Sequence, residues 1–172
     1  MFRYERPQAG RFRQFYQIGV EVMGSHYPAV DAEVMTMLMD FFHVIGLNGL
    51  KLRLNSLGCG KCRPGYREIL KSSIRNHLSS LCENCNQRYE RNPLRVLDCK
   101  LEGDRKIAAD LPKITDHLCS ECKSHFYEVR VLLDSTKIQY DIDHLLVRGL
   151  DYYSHTTFEV TSEKLGAQNA IC

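Results

Sequence analysis

Residues 1–24 read MFRYERPQAGRFRQFYQIGVEVMG, and this stretch decides the fold that we predict for the chain. From Met1 to Arg6, apolar and charged residues alternate in the pattern of a β-strand. The segment from Pro7 to Arg13 contains proline and glycine and breaks the alternation, so a loop is predicted there. Alternation resumes from residue 15 to residue 22, and the two runs can pair as a hairpin across the loop.

The two faces of the second run differ in character. One is apolar and comprises Tyr16, Ile18, Val20 and Val22, whereas the other comprises Phe15, Gln17, Gly19 and Glu21. A hairpin adds Arg3 and Glu5 to the second face, beside a loop that contains Arg11 and Arg13. Arginine, an aromatic ring, an amide and an acid on one face favour a site for an anionic ligand with a flat ring. The alternative is a polar hairpin face that meets only water.

The composition is that of an ordinary globular protein. Of the 172 residues, 44% are hydrophobic and 26% are charged, and the length suits one domain or a small domain with an insert. No apolar run approaches the ~20 residues that a membrane span needs. The N-terminus lacks the charged-then-apolar order of a secretory signal, so a cytoplasmic protein without membrane contact is expected.

Charge is distributed unevenly along the chain, although the net charge is only +2. Cys59 to Lys137 contains 15 Lys and Arg against 11 Asp and Glu, whereas Ile138 to Cys172 contains 2 against 5. The middle of the chain is therefore the part expected to face a phosphate backbone. A mixed, solvated surface is the alternative interpretation.

Beyond the hairpin, hydrophobic spacing predicts both helices and strands. A helix capped by Asp31 is predicted to end near Ile45, and a strand follows from Leu50 to Asn55. Further helices are predicted over 63–81 and 83–91 and from Thr115 or Asp116 to 133, with a final strand over 156–161. The predicted fold class is α+β, with an antiparallel sheet flanked by helices. A mostly α-helical insertion at 59–137 is expected between core segments 1–58 and 138–172.

Eight cysteines in a chain of this kind favour metal binding or plain thiols over disulfides. Six of them form three Cys-x-x-Cys pairs, which are Cys59–Cys62, Cys82–Cys85 and Cys119–Cys122. Four thiolates make a closed tetrahedral zinc site, which we predict for Cys59, Cys62, Cys119 and Cys122 because these pairs lie where the insertion leaves and rejoins the sheet. Cys82, Cys85 and Cys99 can replace either pair. Reduced cysteines packed as small hydrophobic residues are the alternative to a metal site.

Two long segments carry a family resemblance. Residues 2–21, FRYERPQAGRFRQFYQIGVE, resemble motif 2 of the class II aminoacyl-tRNA synthetases in its histidyl form. Residues 146–153, LVRGLDYY, continue into SHTTFEV and resemble the signature of histidyl-tRNA synthetases. The resemblance implies the class II catalytic fold and an ATP-dependent ligase. In that reaction L-histidine forms histidyl-adenylate and is then transferred to tRNA(His).

The resemblance implies an ATP site in the first segment. Arg3 matches the arginine that holds the α-phosphate, a task that suits a fixed guanidinium fork. Glu5 matches the acid near the adenine amino group, and Arg11 lies in the loop that holds the γ-phosphate. Phe15 matches the ring that stacks on adenine. Mg²⁺ is expected to accompany ATP.

The resemblance also implies a histidine pocket built from both segments. Gln17 and Glu21 match positions that contact the substrate, where the Glu21 carboxylate can accept a hydrogen bond from an imidazole N–H. Arg148 matches a fixed cation near the substrate carboxylate and the α-phosphate, so it joins Arg3 as an expected catalytic residue. Tyr152 and Tyr153 match the pair that lines the pocket.

The resemblance implies a longer enzyme of which this chain is a part. The family forms homodimers, and its insertion lies over the acceptor arm of tRNA(His). Motif 1, motif 3 and the anticodon-binding domain are absent from these 172 residues, so the chain alone is expected to charge tRNA poorly. The family does not need zinc for activity.

Two other functions are weighed against this one. A non-catalytic regulatory subunit of histidine biosynthesis shares the fold, but it has no need of the ATP-gripping Arg3, Arg11 and Phe15. A free-standing zinc-bound RNA module would need the insertion to work alone, and the flanking motifs disfavour it.

Overall fold

The structure is a computed structural model that describes residues 1–4, 6–7, 12–148, 152–163 and 170–171. Five α-helices and three strands lie in the described ranges: α1 Pro28–Val44, β1 Leu50–Ser56, α2 Arg63–Arg75, α3 Glu83–Arg91, α4 Glu102–Ala109, α5 Ser120–Ser135, β2 Tyr140–Ile142 and β3 Thr156–Ser162. Short 3₁₀ turns occupy Leu78–Ser80, Pro93–Val96 and Ile114–His117. The predicted α+β class is confirmed.

The three strands form one sheet in the order β2–β1–β3. In the central strand β1, Leu52 and Leu54 are buried, whereas Arg53 between them is half-buried and Lys51 before them is exposed, as the alternating sequence predicts. Near the end of β1, the side chain of Asn55 is also buried, and its Nδ2 donates to the carbonyl of Leu146 at 3.0 Å. This bond fixes the start of the LVRGLDYY segment against the central strand.

The chain divides into two compact units. The first unit comprises Met1–Leu52, Glu128–Tyr140 and Glu159–Cys172. The second unit comprises Arg53–Tyr127 and Asp141–Phe158. The division predicted from the sequence, with an insertion at 59–137, stays a prediction.

In the first unit, α1 begins at Pro28, three residues before the predicted cap Asp31. Proline suits the first helical position because the amide hydrogen that it lacks has no partner within a helix there. Asp31 instead lies in the first turn, where a carboxylate interacts favourably with the helix dipole. Within the described part of the chain, no helix combines the length and the apolar character needed to cross a membrane.

Among the described N-terminal residues, Met1 to Arg3 pair with Arg13 to Phe15. Phe2 and Gln14 form an isolated antiparallel bridge, and Gln14 lies just before the second predicted run. The strand predicted over 15–22 is not formed, and its supposed apolar face is exposed at Tyr16 (94%) and Ile18 (81%). A two-stranded ribbon is marginal without a third strand or a helix packed against it, and the described residues supply neither along 15–22.

The second unit has a continuous hydrophobic core. Its buried members are Tyr66, Leu70, Ile74, Leu81, Cys85, Tyr89, Val96, Leu97, Cys99, Ala108, Leu111 and Ile114. They come from α2, α3, α4, the segments between these helices and the segment that follows α4. The Tyr66 hydroxyl, the polar end of the largest buried side chain, donates to the carbonyl of Pro112 at 2.8 Å. This bond satisfies a polar group that would otherwise be costly to bury.

Two predicted helices in the second unit have different ends from those expected. The helix predicted over 63–81 stops at Arg75, and a 3₁₀ turn follows at Leu78–Ser80. The helix expected from Thr115 or Asp116 begins at Ser120, because a 3₁₀ turn at Ile114–His117 and an extended Leu118 precede it. The helix predicted over 83–91 is confirmed at both ends.

We predict that Leu70→Ala destabilises the second unit by about 2–5 kcal/mol, since it leaves a cavity among fully buried neighbours. Urea denaturation measures the change. Ile69→Ala, one position away on α2 and 40% exposed, is the matched control and should change the unfolding free energy by less than about 1 kcal/mol. Equal effects of the two substitutions would contradict the packing described here.

Candidate functional site

Arg3 and Phe15 lie together on the paired N-terminal runs. The Arg3 amide donates to the carbonyl of Arg13 at 2.9 Å, and the Phe15 amide donates to the carbonyl of Met1 at 3.0 Å. The Arg3 guanidinium lies over the Phe15 ring, 4.6 Å from the ring centroid, and its Nε donates to the carbonyl of Phe12 at 2.8 Å. A cation and a half-buried ring therefore share one small surface.

The other residues expected at the N-terminal site are placed less firmly. Gln17 and Glu21 follow Phe15 in a segment without regular secondary structure, and both residues are exposed. Glu5 and Arg11, expected to contact ATP, lie outside the described residues.

Arg148 is held against the first residues of β3. Its Nε donates to Oγ1 of the buried Thr157 at 3.3 Å, and a terminal guanidinium nitrogen donates to the carbonyl of Phe158 at 2.5 Å. The side chain is half-buried. A guanidinium anchored in this way has fewer accessible rotamers, which suits a charge that must meet a ligand in one orientation.

Tyr152 and Tyr153 form a pair of adjacent rings. Their centroids are 4.8 Å apart with an angle of 36° between the planes. Both rings are open to solvent, with Tyr152 74% exposed and Tyr153 45% exposed. A hydrogen bond with Tyr153 raises the pKa of the Tyr152 hydroxyl. These tyrosines and Arg148 belong to the second unit, whereas Arg3 and Phe15 belong to the first.

The four cysteines predicted to form a zinc site are brought together in the second unit. One potential ligand atom from each of Cys59, Cys62, Cys119 and Cys122 lies within 4.8 Å of all the others. Three of the Sγ–Sγ separations are 3.8 Å (Cys59–Cys62), 3.8 Å (Cys59–Cys119) and 3.9 Å (Cys62–Cys122). A tetrahedron with zinc–sulfur bonds of about 2.3 Å has edges of about 3.8 Å. These three separations match a zinc–thiolate tetrahedron, so the four cysteines fit a zinc ion.

Backbone groups and burial act on the sulfur atoms in opposite directions. Hydrogen bonds from the amides of Cys62 and Lys61 lower the pKa of the Cys59 thiol to about 6. Burial raises the pKa of the Cys122 thiol. Across the cluster, Lys61 Nζ pairs with a Glu121 carboxylate oxygen at 3.0 Å, in an exposed ion pair of little energetic weight.

Leu57 and Gly58, which precede the first cysteine pair, form backbone hydrogen bonds with His155, in the segment after Tyr153. The amide of Leu57 donates to the carbonyl of His155 at 2.7 Å, and the amide of His155 donates to the carbonyl of Gly58 at 2.9 Å. The Arg63 guanidinium donates to the carbonyl of Leu57 at 3.1 Å and also to the carbonyl of Tyr153. The cysteine cluster and the tyrosine pair are thus joined through one arginine.

A second cluster contains the cysteines that the sequence offered only as replacements. Potential ligand atoms of Cys82, Cys85, Cys99 and Asp104 all lie within 4.8 Å of one another. The set shares no residue with the first cluster. Asp104, in the first turn of α4, was not predicted, because nothing in the sequence around it distinguishes it from other acidic residues.

Comparison with known proteins decides the family. The family model for histidyl-tRNA synthetase matches residues 1–171, nearly the whole chain. The chain belongs to the histidyl-tRNA synthetase family.

Curated members of the histidyl-tRNA synthetase family match along the same length. The histidine–tRNA ligase of Desulforamulus reducens is 56% identical over 171 residues, which cover 99% of this chain and 41% of that protein. The histidine–tRNA ligase of Geobacter metallireducens is 54% identical with the same coverage. The chain therefore spans about two-fifths of the length of these relatives.

A solved structure agrees with the family assignment. The crystal structure of apo histidyl-tRNA synthetase from S. aureus matches with a TM-score of 0.61 and 37% identity. The match covers 81% of this chain and 33% of the S. aureus chain.

Gly58 offers a sensitive test of how the first cysteine cluster is built. Its φ is +62°, and an added Cβ would lie 2.7 Å from the Cys62 Sγ and 3.3 Å from a Leu118 methyl group. We expect Gly58→Ala to lower the melting temperature, since left-handed backbone costs alanine about 1–2 kcal/mol and the sulfur must also move.

Gly60→Ala is the matched control for this substitution. An added Cβ there meets no atom within 4 Å, so the melting temperature should stay close to that of the unchanged chain. Differential scanning fluorimetry of both variants gives the comparison. A Gly58→Ala chain as stable as the Gly60→Ala chain would refute the close approach.

Proposed function

We propose that the chain carries part of the active site of a histidine–tRNA ligase. This enzyme joins L-histidine to ATP to form histidyl-adenylate and then transfers the histidyl group to tRNA(His). The observation that carries the proposal is the Arg3 guanidinium lying 4.6 Å from the Phe15 ring centroid, within a chain of the histidyl-tRNA synthetase family. A cation beside an aromatic face is the arrangement that a nucleoside phosphate needs, since the ring stacks on the base and the cation meets the phosphate.

The proposed ATP site comprises Arg3, Glu5, Arg11 and Phe15. In the described structure the Arg3 guanidinium already lies on the Phe15 ring, so adenine binding at that ring requires the guanidinium to swing towards the phosphates. Arg3 would then neutralise charge on the α-phosphate, together with the Mg²⁺ that accompanies ATP. Adenylate formation of this kind depends on positioning and charge neutralisation more than on covalent help from the protein.

The proposed histidine site comprises Gln17, Glu21, Arg148, Tyr152 and Tyr153. Arg148 supplies a positive charge for the substrate carboxylate and the α-phosphate, so that the nucleophile and the phosphorus are held in line. Its bonds to Thr157 and the Phe158 carbonyl fix the direction of the guanidinium before the substrate arrives. The Glu21 carboxylate accepts a hydrogen bond from the imidazole N–H of histidine. Amino acids whose side chains lack such a donor are thereby rejected.

The remaining parts of the proposal concern organisation and partners. We keep the division into a partial catalytic core (1–58 and 138–172) and a helical insertion (59–137), whose basic excess suits the acceptor arm of tRNA(His). The enzyme is proposed to work as a homodimer in translation, in the cytoplasm. The regulatory-subunit alternative is disfavoured because Arg3 and Phe15 are both present and in contact.

A chimeric enzyme tests the proposed activity. This chain replaces the matching segment of the Desulforamulus reducens ligase, to which it is 56% identical. We expect the chimera to catalyse histidine-dependent exchange of pyrophosphate into ATP. Arg148→Ala in the chimera should lower kcat by a factor on the order of 10², as expected for loss of a fixed charge that meets the transition state.

Arg91→Ala on the exposed surface of α3 is the matched control in the chimera and should leave the exchange rate unchanged. A folded chimera that binds histidine but exchanges no pyrophosphate would favour the regulatory subunit over the ligase. An unchanged rate in Arg148→Ala would remove that residue from the catalytic site.

We further propose that Cys59, Cys62, Cys119 and Cys122 bind a structural zinc ion. Three of the sulfur separations match the edges of a zinc–thiolate tetrahedron, and four protein ligands leave no position for substrate. The ion would join the start of α2 to the start of α5. It serves folding, and no step of the reaction passes through it.

Metal analysis of the 172-residue chain, purified without chelator, tests this site. Cys62→Ser should remove about one equivalent of zinc and lower the melting temperature, because the site contributes to folding. Lys61→Ala changes an exposed side chain of the same loop and should retain the zinc of the unchanged chain. Equal zinc content in Cys62→Ser and the unchanged chain would reject the site.

A further inference from the structure

Asp104 is a buried carboxylate in unusual surroundings. It is 3% exposed, and its oxygens accept hydrogen bonds from the Cys82 amide at 3.2 and 3.3 Å and from the Cys99 thiol at 3.1 Å. Among the described residues, no lysine, arginine or histidine forms an ion pair with it. A buried carboxylate is normally paired with a cation or bound to a metal ion, because desolvation of the charge is costly.

The three cysteines around Asp104 are arranged as metal ligands. Cys82 caps the N-terminus of α3, and its sulfur accepts a hydrogen bond from the Cys85 amide at 3.4 Å. In the first cluster a backbone amide also donates to the sulfur of the first cysteine, from Lys61 to Cys59 at 3.4 Å. Amide donors of this kind offset the negative charge of a thiolate at a helix N-terminus.

We propose that Cys82, Cys85, Cys99 and Asp104 form a second zinc site in this chain, with three thiolates and one carboxylate oxygen as ligands. The four ligand atoms already lie within 4.8 Å of one another. This site is independent of the first one, because the two sets share no residue. Both can be occupied in the same molecule.

The distances fit zinc with a small adjustment. Zinc–sulfur and zinc–oxygen bonds of about 2.3 and 2.0 Å in a tetrahedron place sulfur and oxygen about 3.5 Å apart. The Cys99 Sγ and the Asp104 Oδ2 are 3.1 Å apart, so this pair opens by a few tenths of an ångström when the ion replaces the thiol proton. The second carboxylate oxygen keeps its bond from the Cys82 amide, which orients the ligand.

The site has a structural role in the core of the second unit. Cys85 and Cys99 both belong to its hydrophobic cluster, and Cys85 is fully buried. The ion would join the N-terminus of α3 to the first turn of α4 through the segment that contains Cys99. With four protein ligands it has no open position, as in structural rather than catalytic zinc sites.

The zinc content of the 172-residue chain, purified without chelator, decides the proposal. We expect about two equivalents in the unchanged chain and about one in each of Cys62→Ser and Cys85→Ser, since each substitution disables one site. A zinc content in Cys85→Ser equal to that of the unchanged chain overturns the proposal, whereas loss of zinc from Cys62→Ser alone bears only on the first site. An intact mass lower by two hydrogen atoms under non-reducing conditions, in a chain that binds one equivalent of zinc, would show a disulfide in place of the second site.

Asp104→Asn tests the carboxylate without removing a thiol. This variant should release one of the two zinc ions to a chelator at least tenfold faster than the unchanged chain. Loss of even a residue that only supports a metal ligand typically costs about 10- to 100-fold in metal affinity. Asp110→Asn changes an exposed aspartate at the end of the same helix and is the matched control. Equal release rates for the two variants would remove Asp104 from the site.

Cobalt substitution identifies the ligands if Cys85→Ser fails to fold. In Cys62→Ser, where only the proposed second site remains intact, the sulfur-to-cobalt charge-transfer band should have about three-quarters of the intensity per ion of a four-thiolate site. A band of four-thiolate intensity, or none, would contradict the ligand set of three cysteines and one aspartate.

Discussion

The second unit depends on the close approach of sulfur atoms that repel one another when ionised. In the first cluster they lie 3.8–3.9 Å apart, and two unit charges about 4 Å apart repel by about 4 kcal/mol at an effective dielectric constant of about 20. Four thiolates cannot share this space unless a cation lies among them or protons remain on some of them. The neighbouring residues are arranged to tolerate the approach, with a glycine beside one sulfur and amides directed at others.

The sequence predicted local features well and long-range ones poorly. The bounds of α3 and the alternation of β1 follow from the spacing of residues that are close neighbours in the sequence, so they can be read from the sequence alone. The strand expected at 15–22 does not form, because a strand depends on a neighbour that its own alternation cannot supply. α4 was missed because its eight residues include Gly103 and show little apolar periodicity.

The same distinction applies to the candidate sites. The first cysteine cluster could be predicted from paired spacing and from its place at the two ends of the predicted insertion. Asp104 could not, since nothing near it in sequence distinguishes it from other acids, and its partners Cys82 and Cys99 come from separate segments. Arg63 was also missed, because its contact with the Tyr153 carbonyl joins residues far apart along the chain. Roles for Arg148 and the tyrosine pair came from family resemblance rather than from their own pattern.

The contact between Gly58 and Cys62 has a consequence for how this protein can change over evolutionary time. No side chain fits at position 58 while a sulfur atom occupies its present place, since even a Cβ would lie 2.7 Å from it. A lineage that gives up the cysteine gains room at position 58, and asparagine then tolerates the left-handed backbone best after glycine. Positions 58 and 62 are therefore expected to covary among relatives, with glycine retained wherever the cysteine is retained.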